Sequence, residues 1–227
     1  MTTNSTPLPS CSSFHCRSAW TLLLAAMLGL AAGCAKNPAD GTAAAEVKSP
    51  SGASASTSKP VAGAKIFTLA EDSTIGFVGS KVTGSHTGGF KKFTGQFAVA
   101  NGAISGPGSK LTIDIDSLWA DNDRLTGHLK SPDFFDAATF PQATFELTGS
   151  EKVDGSKVKL TGNLNLHGIT KQISFPAELG VSGNQATLKA EFYIKRFDFA
   201  IKFAGKADDL IRDEVVIKLD VKAAAKG

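Results

Sequence analysis

The residues best suited to chemistry are few and scattered. His86, His128 and His167 are the histidines beyond the N-terminal leader. None falls in a His-Glu-x-x-His or His-x-His pattern or beside a cysteine, so no metal-ligand spacing is present. No Gly-x-Ser-x-Gly elbow occurs, which leaves a hydrolase of that kind without a nucleophile. Gly102, Gly106 and Gly108 precede strand-like rather than helical sequence, which does not make a phosphate loop. Asp114 and Asp116 form a carboxylate pair, but they alternate with Leu111, Ile113 and Ile115 and so lie on a solvent face. The chain is therefore not expected to be an enzyme, and no cofactor or metal is expected. What remains is a scatter of polar groups between apolar segments: Arg124, His128, His167, Arg196 and Asp198. Such cations could meet a phosphate or carboxylate headgroup at a cavity mouth. They also have plainer readings. His167-Gly168 could simply turn a hairpin, and Arg196 with Asp198 could be a structural ion pair.

These groups need elements to position them. The chain has 227 residues, with 24 Lys+Arg against 21 Asp+Glu. A net charge of +3 spread over that length is not the concentrated basic field of a nucleic-acid coat, so no nucleic-acid partner is expected. Three cysteines without a Cys-x-x-Cys spacing exclude a disulfide scaffold. Residues 1–18 are polar, with the single basic residue Arg17. The apolar run Ala19–Gly33 then ends in small residues at Cys34. It has the length of a signal h-region and falls short of a spanning helix. The combination resembles a bacterial lipoprotein signal, with Leu30-Ala-Ala-Gly33 as the lipobox. That resemblance implies a signal peptide over 1–33, lipidation of Cys34 and a membrane-anchored protein facing the periplasm. With Ala35 after the cysteine, the outer membrane is the expected location. An ordinary secretory signal, giving a soluble periplasmic protein, is the alternative.

Residues 34–64 are Ala-, Ser- and Thr-rich and hold no Leu, Ile or aromatic residue, so they read as a flexible tether. From Lys65 to the C-terminus a folded domain is expected. Apolar residues there recur at every second position: Val158 to Leu166, Ile173 to Leu179, Leu188 to Ile194, and Val215 to Val221. Each is a strand with one apolar face. Asn101-Gly102, Asp154-Gly155 and Gly183-Asn184 mark turns between them. One segment breaks the period. Asp121 or Asn122 starts a short helix, Leu125 and Leu129 share its face, and Pro132 closes it. With no other helical period, the expected fold is all-β: an antiparallel up-and-down barrel of about eight strands with one short helix. A β-sandwich is the second choice. The inward set would include Phe77, Phe97, Ile113, Phe145, Leu164, Phe175, Phe192 and Ile194. These side chains either line a cavity or pack a solid core; small barrels do both.

Three motifs sharpen this. Leu129-Lys-Ser-Pro-Asp-Phe-Phe-Asp136, Leu164-Asn-Leu-His-Gly-Ile-Thr-Lys171 and Asp213-Glu-Val-Val-Ile217 occur in that order. With them the chain resembles the YceI-like family of bacterial envelope proteins over about residues 66–224. It departs from the family where Lys195 and Ala200 flank the Arg196-Phe-Asp-Phe199 segment. The resemblance implies a lipocalin-like barrel whose apolar cavity binds an isoprenoid or other long-chain amphiphile, often as a homodimer. An envelope module without a ligand and a cavity enzyme are the alternatives.

Overall fold

The computed structural model describes residues 35–50 and 62–225. Cys34, with its expected lipidation, and the expected signal at 1–33 lie outside the described residues.

Two short strands come first, β1 (Ala43–Ala44) and β2 (Glu46–Lys48), then β3 (Lys65–Leu69), β4 (Thr74–Lys81), β5 (Gly84–Phe90), β6 (Phe93–Ala100) and β7 (Ala103–Asp114). A 3-10 turn at Ile115–Ser117 leads into β8 (Leu118–Ala120), followed by the helix α1 (Asp123–Lys130). The second half is strand after strand: β9 (Gln142–Asp154), β10 (Lys157–Leu166), β11 (Ile169–Ser182), β12 (Gln185–Lys195), a 3-10 turn at Arg196–Phe199, the hairpin β13 (Gly205–Lys206) and β14 (Asp209–Leu210), and β15 (Glu214–Ala225).

Hydrogen bonding runs β12-β11-β10-β9-β7-β6-β3-β15, and β15 returns to β12, so eight antiparallel strands close into a barrel. This is the fold class that the period-two pattern predicts. Closure follows from the backbone: a strand with one apolar face and free edges must pair or be covered, and closing the sheet satisfies every edge. β3 and β4 share one edge of β15 end to end, at Ala223–Ala225 and at Val216–Asp220. β5 and β8 extend the wall from β4. The inward side chains form one core cluster, with Phe67, Leu160, Phe175, Phe192 and Val221 among its buried members. Helix α1 begins where expected. The Asn122 side chain accepts from the Leu125 N–H, and Leu129 is buried.

One expectation is corrected here. The segment expected to be a loose tether is partly built into the wall. β11 and β12 pair only from Glu178↔Lys189 to Ser182↔Gln185, then part company. β1 and β2 fill the gap. Ala43 and Ala44 pair with Phe192 and Tyr193, while Glu46, Val47 and Lys48 pair with Ser174, Ile173 and Gln172. Ala45 N–H donates to the Tyr193 carbonyl at 2.8 Å. Ala45 and Val47 pack against the core, and Lys159 binds Glu46 at 2.6 Å. Composition missed this because an inserted strand borrows its partners. Its hydrogen bonds come from two divergent strands, and a single Val is enough side chain to seal the gap. The chain also touches the barrel at Ala35, whose N–H donates to the Val82 carbonyl at 3.2 Å.

Val47→Asp would set a charge against the core at this seam. The expected loss is about 1–2 kcal/mol, or roughly 2–8 °C in Tm for a domain of this size. Thermal unfolding followed by circular dichroism checks it; an unchanged midpoint would return the segment to the status of a tether.

Candidate functional site

The barrel interior is not filled. A central cavity of about 130 Å³ is lined by Phe77, Ile113, Phe145, Leu164, Phe175, Phe192 and Ile194, together with Leu166, Ile217 and Leu219. Below it, a pocket of about 70 Å³ is lined by Phe97, Leu147, Leu160 and Val221 and shares Leu111, Phe145, Phe175 and Leu219 with the central one. Above it, a mouth cavity of about 370 Å³ shares Phe77, Phe135, Arg196, Ile201 and Val215 with the central one. The three spaces thus form a train from mouth to base. Seven of the eight aromatic and aliphatic residues predicted to point inward line its centre, and Phe97 lines its base.

Glycines make this lining fit. Gly162 faces the Phe145 ring so closely that a Cβ would stand 2.4 Å from the ring's Cζ, and a Cβ on Gly88 would stand 2.3 Å from Phe77 Cζ. The rings then pack on one another. Phe175 and Phe192 stack with centroids 4.1 Å apart, and Phe145 lies 5.6 Å from Phe175. Phe145 and Phe175 therefore stand between the central space and the base.

The polar residues sort differently from the sequence expectation. Arg196 does reach the cavity, and it stands where the apolar interior meets the mouth. It is only 4% exposed. Its Nε donates to the Arg212 carbonyl at 2.9 Å, Nη1 to Ile201 at 2.7 Å and Nη2 to Ile211 at 3.0 Å. The expected Arg196–Asp198 ion pair is not made. Backbone carbonyls of two neighbouring loops hold the guanidinium instead, because the fork of donors matches carbonyls that the turn at 196–201 and the approach to β15 leave unpaired. Burial pulls the guanidinium's pKa below its ordinary value, and nearby Asp213 opposes that.

His128 lines the mouth, with Asp133 at 2.9 Å and its ring edge-on to Phe134 and Phe203. Arg124, His167 and Asp198 do not line the mouth cavity. Arg124 sits on the exposed face of α1. His167 is the first residue of a hairpin turn, with φ +51 followed by Gly168 at +73, as the plainer reading had it. Its Nδ1 approaches the Phe199 carbonyl at 3.1 Å, and its ring packs on Phe140 at 4.7 Å. Sequence reasoning missed Ser80, Lys81, His86, Lys206, Asp209 and Arg212, which also form the mouth. No motif marks them; β4, β5 and β14 bring them together only in space. Lys81 binds Asp209, and with Thr83 it holds that carboxyl below the usual carboxylate range. The Thr87 N–H and His86 do the same for Asp121.

A further concavity of about 1090 Å³ opens on the side of the barrel and shares Ile75, Gly76, Phe90, Phe175 and Leu219 with the central cavity. On its rim Lys159, Lys189 and Lys218 pair with Glu46, Asp220 and Glu191, exposed pairs of small energetic weight. Among the described residues no group of three or more His, Cys, Asp or Glu could hold a metal ion.

Comparison with known proteins agrees with this geometry. The YceI-like domain family matches residues 68–223. Protein YceI of Escherichia coli is 36% identical over 121 residues, 51% of this chain and 63% of that protein. The chain thus spans less than two thirds of that relative's length. The crystal structure of Burkholderia cenocepacia BcnA superposes with a TM-score of 0.62 at 27% identity, covering 67% of this chain and 96% of BcnA. A polyisoprenoid binding domain from Saccharophagus degradans, implicated in plant cell wall breakdown, shares the fold with a TM-score of 0.58 at 22% identity, over 70% and 98% of the two chains.

Two substitutions test the frame of the mouth. Arg196→Met strands three carbonyls and should cost about 2–4 kcal/mol. Ala200 closes the 3-10 turn at φ +57, a left-handed conformation costly for a residue with a Cβ. Ala200→Gly should therefore raise stability by about 0.5–1 kcal/mol, net of the glycine's greater unfolded-state entropy. Urea denaturation reads both; an Arg196→Met variant as stable as the parent would remove the structural role assigned to that side chain.

Proposed function

From the premise that this chain belongs to the YceI-like family, we propose that its barrel binds one long-chain isoprenoid or related amphiphilic lipid, with the apolar chain inside and the polar end at the mouth. The observation that carries this reading is the train of spaces along the barrel axis, predominantly apolar at the centre and base, with most of its charged side chains gathered at the mouth around Arg196. A cavity walled by Phe, Leu, Ile and Val offers a chain burial and nothing to react with. Each Å² of apolar surface taken from water would contribute about 25 cal/mol, less the cost of ordering the chain. The central space is narrow, so a chain that reaches the base turns the Phe145 and Phe175 rings aside. That the Saccharophagus domain of the same fold is a polyisoprenoid binding domain is in keeping with this ligand class. Carrying or sequestering such a lipid in the bacterial envelope, from an anchor at Cys34, completes the proposal, and a homodimer belongs to it as an expectation.

The test is lipid uptake by the delipidated protein, measured by titration and native mass spectrometry. One chain per barrel is expected. Phe192→Asp places an unpaired charge in the lining and should abolish uptake. Phe192 is only 3% exposed, so that variant tests folding too. Leu164→Trp adds bulk without charge at a half-buried lining position and should weaken binding roughly tenfold while the protein stays folded. A folded parent protein that takes up no isoprenoid or fatty-acyl lipid would overturn the reading.

A further inference from the structure

Exposed apolar side chains gather at the mouth end of the barrel. Val82, Phe197 and Leu210 stand there at 36%, 45% and 49% exposure. They lie on segments that hydrogen bonds hold together. The Val82 N–H donates to the Leu210 carbonyl at 3.2 Å, the Arg212 N–H to the Ser80 carbonyl at 2.8 Å, and the Phe197 N–H to the Asp213 carboxylate at 2.9 Å. The Arg196 guanidinium packs against the Phe197 ring at 4.5 Å. None of the three lines the mouth cavity, although their neighbours Lys81, Arg196, Asp209 and Ile211 do. They form a rim beside the opening rather than part of its lining. Single exposed apolar residues are ordinary, but a fixed group at one end of a barrel marks a contact surface.

The route of the chain indicates what covers this rim. Ala35 is pinned to it by both of its backbone groups: its N–H donates to the Val82 carbonyl at 3.2 Å, and its carbonyl accepts from Arg212 Nη2 at 3.1 Å. The residue before it is Cys34, the expected point of lipidation. Consecutive Cα atoms are about 3.8 Å apart, so an acyl group on Cys34 would enter the bilayer beside the mouth. A free tether over 35–64 would instead let the barrel stray by roughly 30 Å. Charge does not direct the contact. Lys195, Lys202 and Lys206 are exposed at this end, but Asp198, Asp208 and Asp209 lie on the same segments, so no concentrated basic field forms. The contact is apolar, and three side chains give marginal membrane binding that a covalent anchor completes.

We propose that the rim of Val82, Phe197 and Leu210 docks on the membrane surface, with the mouth opening onto the bilayer that holds the Cys34 anchor. The proposal rests on the lipid-binding reading and on acylation of Cys34, and goes beyond both by fixing which end of the barrel meets lipid. A chain passing between bilayer and barrel then moves from one apolar phase to another with little apolar surface exposed to water.

The test uses the full acylated chain in vesicles of phosphatidylethanolamine and phosphatidylglycerol. Cys11 and Cys16 leave with the signal and Cys34 is blocked, so Val82→Cys, Leu210→Cys and Val181→Cys each offer one free thiol for an environment-sensitive fluorophore. Val181 is exposed near the β11–β12 hairpin, at the far end of the barrel. Labels at 82 and 210 should shift to the blue and be quenched by lipid-borne spin labels, while the label at 181 stays aqueous. Val82→Asp combined with Leu210→Asp, both at exposed positions, should slow passage of a lipid from vesicle to barrel about tenfold and leave uptake from detergent solution unchanged. Added salt should alter the docking little. Mouth labels as aqueous as the one at 181, or deeper lipid contact at 181, would overturn the proposal. Mouth labels shielded before vesicles are added, with the double Asp variant turning a dimer into a monomer, would assign the rim to a second copy and overturn it too. A mature chain without acyl groups on Cys34 would remove the anchor and the proposal with it. All of these outcomes leave the barrel reading intact. A folded parent that takes up no lipid from detergent would overturn that reading instead, since the label positions do not depend on it.

Discussion

The ladder between β12 and β15 is the seam on which the molecule depends. It runs the full length of β12, from Gln185↔Ala224 to Lys195↔Glu214, and joins the last strand to one that is not its hairpin partner. Without it the sheet would be open, its edges would need cover, and the alternate apolar side chains would have no common interior. With it, Phe192 and Ile194 on one strand and Val215, Ile217 and Leu219 on the other face the same cavity. The seam also sets the mouth. The turn at Arg196–Phe199 and the approach to Glu214 emerge side by side from its end, and Arg196 ties the two together through carbonyls of both.

Arg196 shows how one group can belong to structure and site at once. A buried guanidinium is costly unless its donors are used, and here three carbonyls use them. Carbonyls supply hydrogen bonds without a full negative charge. The result is a rigid mouth, with the guanidinium fixed by carbonyls of both segments and the carboxylate of Asp213 close enough to favour its charge.

The sequence was most legible where period two was unbroken. β10, β11, β12 and β15 alternate cleanly, and their inward residues could be named one by one. β5 was hidden because its Gly84-Ser-His-Thr-Gly-Gly-Phe90 run has three glycines and a single apolar side chain, too few to show an alternation. Gly88 and Gly89 let Phe77 and Trp119 lie against the backbone, a reason visible only once the neighbours are known. The mouth was half legible. His128 and Arg196 stand in motifs, whereas Ser80 and Arg212 stand in none and meet through topology alone. Arg124, His167 and Asp198 drew attention by type and proximity in sequence, but the helix face and the hairpin turn direct them elsewhere.

The wall piece formed by β1 and β2 gives the barrel a mechanical weak point. It is held by two residue pairs to β12 and three to β11, whereas the main seam has eleven. It is also the part of the barrel nearest in sequence to the N-terminal side, and Ala35 leaves from beside the mouth. Tension drawn along the chain from that side loads the Ala35 contacts to Val82 and Arg212 and then this strap, which peels pair by pair. The seam between β12 and β15 stays whole meanwhile. The first consequence of a pull is thus a slit beside Ile173 and Phe192, opening the side of the apolar interior before the barrel itself gives way.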